Sequence, residues 1–240
     1  MRFDNRENDM LRNIEIIPEF TKTNGGSVLI KWGGTVVLCT ALLEAGTMPF
    51  LEGTGKGWLT AEYAMLPSST QGRKKRETSK PDGRSTEIKR LIGRSLRHAV
   101  DYEKLGENKI WIDCDVLQAD GGTRTASITG AFIALQIGVN KWLKEGKITT
   151  NPIVHQVAAV SVGINDDIPI LDLCYKEDSA AQVDMNVIMD ESGAFIEVQG
   201  TGEERAFTSD ELFSLLTLAS KGIKELFVMQ NDAVKKVCND

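Results

Sequence analysis

The sequence predicts an α+β fold made of two similar halves, and three observations support this. Each half contains runs that read as strands, followed by a long stretch of apolar residues at helical spacing. No segment rich in proline, glycine or serine separates the two halves. The 240 residues are 41% hydrophobic, which is enough for a substantial core. We therefore expect one domain over residues 1–240.

The first half is expected to open with a β-hairpin. Gly33 and Gly34 separate two apolar runs by two residues, the spacing of a tight turn. After a third extended run, a polar stretch with almost no apolar residue predicts a long mobile loop. The expected strands cover residues 27–32, 35–43, 57–65 and 110–117, the loop covers 67–83, and the helices cover 85–102 and 122–144.

The second half repeats this order of strands followed by a helix. Two runs at 154–164 and 169–174 read as strands, and runs at 182–189 and 194–199 read as a hairpin. Thr208 and Glu211 form a capping-box pattern, so the last helix is expected to begin after Thr208.

Composition restricts the environment and the chemistry. The polar amino terminus carries no secretory signal, and no apolar run approaches the length of a membrane span. Cysteines at 39, 114, 174 and 238 lack close spacing; those in apolar runs, Cys39, Cys114 and Cys174, are interpreted as buried free thiols. A cytoplasmic location without membrane partners is expected. His98 and His155 are the only histidines, which offers little basis for a His-based zinc site.

Charge is distributed unevenly along the chain. The net charge is −6, yet the stretch from Arg73 to Arg97 holds ten basic residues and three acidic ones. In the expected helix, Arg90 and Arg97 lie on or beside the face opposite the apolar stripe. Such a basic stretch on an acidic chain is typical of a polyanion-binding surface, although a solvated helix face with a flexible loop has the same pattern.

Gly122, Thr123 and Arg124 stand where the strand at 110–117 passes into the helix at 122–144. Glycine lets the backbone approach an anion closely, and the first amides of a helix have no internal partner. Arginine adds a planar donor fork suited to phosphate oxygens. The pattern is not a P-loop, because the P-loop lysine is absent. It indicates a phosphate cradle or, alternatively, a tight strand-to-helix turn with a surface arginine.

Asp178 and Asp184 bracket a short run of small residues. An even separation places both side chains on one face of an extended segment. Two carboxylates on one face could hold Mg²⁺ or assist proton transfer. Aspartates are also common in turns without any such role.

With these motifs in place, the chain resembles the ribonuclease PH family of phosphate-dependent exoribonucleases, which includes polynucleotide phosphorylase and the exosome ring subunits. The similarity extends over nearly the whole chain, in family order. It is carried by residues 57–67 (GWLTAEYAMLP), 87–97, 117–129 (LQADGGTRTASIT), 157–163, 177–187 and 196–201. One departure is Ser68, where the family usually carries an arginine.

The resemblance implies a fold like the second domain of ribosomal protein S5 and a homohexamer built as a trimer of dimers. It implies trimming of the 3′ ends of tRNA precursors, with inorganic phosphate as the attacking co-substrate and nucleoside diphosphates as products. The implied phosphate-binding residues are Arg84, Gly122, Thr123 and Arg124. The implied catalytic and Mg²⁺-binding residues are Asp178 and Asp184. The basic residues Arg73, Arg76, Arg90 and Arg97 would contact RNA.

Two other functions stay open at this point. One is a catalytically silent RNA-binding ring subunit, as some members of the wider family are. The other is a small-molecule phosphotransferase, because fold alone does not determine function. The retained Arg84, Arg124, Asp178 and Asp184 favour an active enzyme.

Overall fold

The computed structural model describes residues 2–22, 25–76 and 82–238, without the side chain of Cys238. Residues 77–81 of the predicted loop 67–83, with Glu77 and Lys80 of the basic stretch, lie outside the described residues. No helix within the described ranges is long and apolar enough to cross a bilayer.

The first half forms a five-stranded sheet with helices on one face. Its strands follow the spatial order β1-β2-β3-β5-β4, and only the β4–β5 pair is parallel. The strands are β1 (Ile14–Pro18), β2 (Gly26–Trp32), β3 (Thr35–Ala45), β4 (Trp58–Met65) and β5 (Asn108–Gln118). The helices are α1 (Gly83–His98), the short α2 (Tyr102–Leu105) and α3 (Thr123–Lys144), and a 3₁₀ turn spans Pro49–Leu51.

The second half forms a four-stranded antiparallel sheet in the order β7-β6-β8-β9. Its elements are β6 (Val157–Asn165), β7 (Ile168–Leu171), the short helix α4 (Tyr175–Asp178), β8 (Val183–Asp190), β9 (Phe195–Gly202) and α5 (Ser209–Cys238). The predicted α+β class with two β–α halves is therefore confirmed.

Most predicted elements are present, with differences at their ends. The hairpin at Gly33 is confirmed, and Gly33 takes the positive φ of 57° that such a turn requires. The predicted helix 85–102 ends at His98, because Asp101 caps a separate helix by accepting from the amides of Glu103 and Lys104. Strand β1 and helices α2 and α4 were not predicted, since all three are short.

The last helix begins as its sequence pattern predicts. The Thr208 amide donates to the Glu211 carboxylate at 2.7 Å, and the Glu211 amide donates to the Thr208 hydroxyl at 3.3 Å. This reciprocal pair is a capping box, which satisfies amides that have no partner within the helix.

Helix α3 lies between the two sheets and packs against both of them. Because it contacts protein on several sides, apolar residues occur around its circumference rather than on one stripe. It approaches β2 closely because glycines face it: a side chain on Gly26 would overlap the carbonyl of Ala134. Most buried apolar residues of the two halves form one continuous core around this helix, which includes Cys39 and Cys114. Ile170, Leu173 and Ala181 form a small separate cluster. Cys174, predicted to be buried, is only half-buried.

A buried ion pair joins the halves next to the start of α3. Arg12, just before β1, and Asp172, just after β7, are 4% and 1% exposed, and their side chains meet at 2.7 Å. Asp172 also accepts from the Arg12 amide at 2.7 Å and from the indole of Trp32 at 2.8 Å. Burial opposes ionisation of Asp172, but the charge and hydrogen bonds of Arg12 outweigh it and lower the pKa of the carboxyl.

We predict that Asp172→Asn destabilises the protein by about 3–5 kcal/mol, because it leaves the guanidinium of Arg12 buried without a counter-ion. Chemical denaturation of both proteins at pH 7 and equal protein concentration measures this. Disruption of the exposed pair Lys31–Glu15 by Lys31→Ala is the control and should cost about 0–1 kcal/mol.

The same pair predicts a pH dependence. A lowered pKa in the folded state contributes stability above the ordinary aspartate pKa, and this contribution is lost as pH falls through the lowered value. The difference between wild type and Asp172→Asn should therefore shrink at acidic pH. A difference that is no larger than that of the control at pH 7 would contradict the structural role of the pair.

Candidate active site

A cavity of about 950 Å³ lies between the two halves and collects the residues predicted for phosphate and metal. The first half contributes the turn before α3 and the first turn of α1, and the second half contributes α4 and β8. The predicted site residues that line it are Arg84, Gly122, Thr123, Arg124, Asp178 and Asp184. The fold therefore brings together groups that are up to about a hundred positions apart in the sequence.

The turn before α3 forms the floor of a cradle. Gly121 and Gly122 have positive φ angles of 73° and 66°, a conformation that side chains rarely adopt. A Cβ on Gly121 would also lie 2.6 Å from the carbonyl oxygen of Leu173. Helix α3 starts directly afterwards at Thr123, so its first amides have no partner within the helix. This backbone geometry suits a bound anion.

Two side chains hold this turn in position. The hydroxyl of Thr35 accepts from the amide of Asp120 and donates to the carbonyl of Gly121, at 2.9 and 2.6 Å. Arg12, already paired with Asp172, donates to the carbonyl of Asp120 at 2.6 Å. The cradle is thus fastened to the same ion pair that joins the halves.

Tyr63 supports the cradle from below. This buried residue of β4 donates its hydroxyl to the hydroxyl of Thr123 at 3.0 Å. Burial raises the pKa of Tyr63, so the phenol stays protonated and remains a donor. Sequence reasoning did not single out Tyr63, although it lies in the motif at 57–67.

Two arginines supply positive charge to the cavity. Arg84 is exposed in the first turn of α1 and has no salt-bridge partner within the described part of the chain. Arg124 pairs with Glu87 at 3.0 Å, and Gln199 donates to the other oxygen of Glu87 at 3.3 Å. The buried Nε of Arg124 has no hydrogen-bond partner among the described residues. A buried donor left open beside a cavity is a fit for an anion such as phosphate.

The carboxylates of Asp178 and Asp184 lie on different types of secondary structure, which the sequence interpretation did not predict. Asp178 is the last residue of helix α4 and Asp184 is the second residue of β8. The interpretation that both lie on one face of an extended segment is therefore wrong, because the chain between them leaves a helical turn. Both nevertheless line the cavity.

The electrostatics of this acidic side suit a cation. Burial raises the pKa of both aspartates; for Asp184 the charges of Asp178 and Glu203 add to the rise. For Asp178 the charges of Arg84 and Arg124 oppose it. One oxygen of Asp184, Oδ1, is buried without a hydrogen-bond partner among the described residues. An unpaired carboxylate oxygen among negative neighbours fits a divalent ion with oxygen ligands.

The basic residues predicted for RNA do not line this cavity. Arg73 and Arg76 are exposed in a segment whose neighbours, including Gln71 and Lys74, form part of its rim. Arg90 and Arg97 border a separate depression of about 200 Å³ beside β4. Arg97 is half-buried with its guanidinium 5.0 Å from the Trp58 ring centroid, so that pair is a cation–π contact.

For several residues that build the site, the local sequence gave no sign of the partners they contact. Arg12, Asp172, Glu87 and Glu203 stand in no local motif with their partners, because the paired positions are far apart in the chain. Tertiary structure alone brings them to the cavity. Only Glu87 and Tyr63 fall within segments that carry the family resemblance.

Comparison with known proteins identifies the family to which the chain belongs. The sequence model of the 3′ exoribonuclease family, domain 1, matches residues 10–138, and that of domain 2 matches residues 155–222. Ribonuclease PH of Syntrophomonas wolfei is 57% identical over 231 residues, covering 95% of this chain and 97% of that protein. Ribonuclease PH of Bacillus subtilis is 57% identical over 237 residues, covering 98% and 97%.

Solved structures show the same fold. An Archaeoglobus fulgidus exosome with RNA bound to the active site matches with a TM-score of 0.80 at 23% identity, over 95% of this chain and 92% of that chain. An archaeal exosome core matches with a TM-score of 0.75 at 20% identity, over 96% and 91%. The two relatives that are 57% identical are both ribonuclease PH. This chain therefore belongs to the 3′ exoribonuclease family.

Proposed function

We propose that this chain shortens RNA from its 3′ end by phosphorolysis and trims the 3′ ends of tRNA precursors. One observation carries the proposal. An anion cradle from the first half and a carboxylate pair from the second half face the same cavity. This combination suits phosphorolysis, because a phosphate dianion must approach an anionic diester. The cradle offsets the charge of the phosphate, and the carboxylates could hold a cation that offsets the charge of the diester.

In the proposed reaction an oxygen of inorganic phosphate attacks the phosphorus of the last diester bond. The bond from that phosphorus to the 3′ oxygen of the preceding nucleotide breaks. The terminal nucleotide leaves as a nucleoside diphosphate, and the shortened RNA keeps a 3′ hydroxyl after it takes up a proton. Positioning and charge neutralisation are the main tasks of the protein in such transfers.

The cradle is proposed to hold the attacking phosphate through Arg84, Gly122, Thr123 and Arg124. The open Nε of Arg124 and the free first amides of α3 supply donors. Arg84 adds a second guanidinium from α1. Fixed positive charges of this kind offset the repulsion between the two anionic reactants.

Asp178 and Asp184 are proposed as the catalytic carboxylates and as ligands of Mg²⁺. The unpartnered Oδ1 of Asp184 and the nearby Glu203 support this role. When bound, the metal ion would neutralise charge that develops on the reacting phosphoryl group.

RNA is proposed to reach the cavity along basic side chains. Arg73 and Arg76 extend from the rim segment, while Arg90 and Arg97 offer charge on the separate depression beside β4. Arg90 is exposed and Arg97 is half-buried against Trp58, so Arg90 is the more accessible of this pair. Contacts would be mainly to the RNA backbone and therefore sensitive to salt.

We also propose a homohexamer built as a trimer of dimers, with the two halves of each chain acting as a single domain. The exosome cores that share the fold support a ring, and the continuous core through α3 supports the single domain. A cytoplasmic location is proposed as well. The free thiols at Cys39, Cys114 and Cys174 are consistent with it.

The decisive measurement uses purified protein, Mg²⁺, phosphate and a tRNA precursor with a 3′ extension. We expect nucleoside diphosphates to appear only when phosphate is present, because phosphate is the nucleophile. Release of nucleoside monophosphates without phosphate would contradict the proposal. RNA binding with product release at background would point to a silent ring subunit instead.

Arg124→Ala should raise the KM for phosphate by about 10- to 100-fold, the range of one or two charge-assisted hydrogen bonds. RNA affinity should change far less, because this guanidinium faces the cradle. Arg205→Ala is the matched control, since Arg205 pairs with Glu211 at 2.7 Å and lines neither the cavity nor the depression beside β4. Phosphate dependence is measured at saturating RNA. Equal losses in phosphate and RNA binding would show that the assigned role is wrong.

Asp184→Asn should lower kcat by roughly 100- to 1000-fold, the scale for loss of one group that stabilises the transition state. The affinity for RNA should change by no more than about threefold, because an interaction made only in the transition state does not contribute to substrate binding. Asp113→Asn is the control, because burial raises the pKa of Asp113 as it does for Asp184, yet Asp113 does not line the cavity. Single-turnover rates and RNA binding are compared for the three proteins. A parallel fall in both properties for Asp184→Asn would count against a catalytic role.

A further inference from the structure

The two histidines of the chain meet at one point, far from each other in sequence. His98 is the last residue of α1, and His155 lies between α3 and β6. Asp190, the last residue of β8, joins them, and one ligand atom from each of the three lies within 4.8 Å of the others. None of the three lines the cavity of the proposed active site. The expectation that two histidines offer little for a metal site therefore has to be revisited.

Backbone pairing holds the two histidine-bearing segments together. Val100 and Ile153 form an isolated antiparallel bridge. On either side of it, the amide of Val154 donates to Ala99 at 2.9 Å and the amide of Asp101 donates to Pro152 at 2.8 Å. The imidazole rings are stacked, with centroids 4.8 Å apart and an interplanar angle of 18°. The two imidazoles are thus already neighbours before any ligand binds.

Asp190 is held in a fixed position within the cluster. Its side chain is 4% exposed, and its Oδ2 lies 3.0 Å from Nε2 of His98. Its Oδ1 accepts from the amide and hydroxyl of Ser192 and from the amide of Ala194. These contacts leave Oδ2 directed at the histidine pair.

We propose that His98, His155 and Asp190 form a binding site for a divalent transition-metal ion, with zinc as the best match. Two imidazoles and one carboxylate are a ligand set that zinc accepts, whereas Mg²⁺ prefers oxygen ligands alone. In a tetrahedral zinc site the ligand atoms lie about 3.4 Å from one another. The separations here reach from 3.0 Å to at most 4.8 Å. To bind one ion, the rings must also turn out of their stacked arrangement, because each nitrogen lone pair lies in the plane of its ring.

A second carboxylate lies at the edge of the cluster. Oε1 of Glu191 is 3.3 Å from Nδ1 of His155, and Oε2 accepts from the amide of Gln156 at 2.7 Å. Carboxylates that contact a ligating imidazole orient the ring and strengthen it as a ligand. His98 and His155 are each 40% exposed, which leaves an entry path for the ion.

The zinc site would join the carboxyl-terminal ends of α1 and β8. Both elements carry proposed active-site residues near their amino-terminal ends. Helix α1 bears Arg84 in its first turn and His98 at its end, and β8 bears Asp184 near its start and Asp190 at its end. An ion bound here contacts no substrate. It would stabilise the packing of α1 against the second half, and so the protein, by binding the folded state.

The experiment is zinc titration of the full-length protein in competition with a chromogenic chelator. We expect the wild-type protein to bind one zinc ion per chain at this site. In the double variant His98→Gln/His155→Gln, the affinity of the site for zinc should be lower by about tenfold or more. Two controls should keep it: Asp178→Asn/Asp184→Asn, which alters the proposed magnesium ligands, and Cys174→Ser, which removes the half-buried thiol. Zinc should also raise the Tm of wild type and not that of the double variant. Equal zinc affinity in wild type and the double variant would overturn the proposal.

A measurement on the wild-type protein does not depend on whether the variant folds. The chain has two histidines, so its imidazole NMR spectrum contains only two sets of ring signals. Both sets should change together and saturate at one zinc per chain. If zinc binds while the signals of either imidazole stay unchanged, the two histidines are not both zinc ligands and the proposal is wrong.

Discussion

The buried pair Arg12–Asp172 is the interaction on which the site depends. Asp172 belongs to the second half, and Arg12 and its neighbour Trp32 belong to the first. Arg12 also grips the turn that leads into α3. A charge inside a protein is tolerated only with a partner at good geometry, so this pair favours the relative placement of the halves that the structure shows. That placement puts the anion cradle opposite the carboxylates.

The cavity combines opposite charges that are kept apart by the fold. Guanidinium groups and free helix amides lie on one side, and the side chains of Asp178 and Asp184 lie on the other. Both aspartates have a raised pKa, because burial penalises their charge, and Oδ1 of Asp184 has no hydrogen-bond partner among the residues that the structure describes. Glu87, which does not line the cavity, forms an ion pair with Arg124. The cavity therefore presents hydrogen-bond donors that suit an anion beside carboxylates that suit a cation.

Local patterns predicted the parts of the site that a short segment can encode. The glycines at 121 and 122 adopt the left-handed conformation that the cradle needs, and Arg124 follows them directly. Asp178 and Asp184 do line one cavity, but the prediction that both lie on one face of an extended segment was wrong, because Asp178 ends helix α4. Spacing rules assume one type of secondary structure throughout a segment. They fail where the chain changes from helix to strand within a few residues.

The sequence by itself determined the class of fold, the order of most elements, the cradle motif and the family resemblance. These depend on residues that are neighbours in the chain, where periodicity and turn chemistry act directly. Only the tertiary structure decided that Arg12 meets Asp172, that Tyr63 supports Thr123, and that the two histidines meet at Asp190. Such contacts join segments far apart in sequence, and their formation depends on how α3 packs between the two sheets.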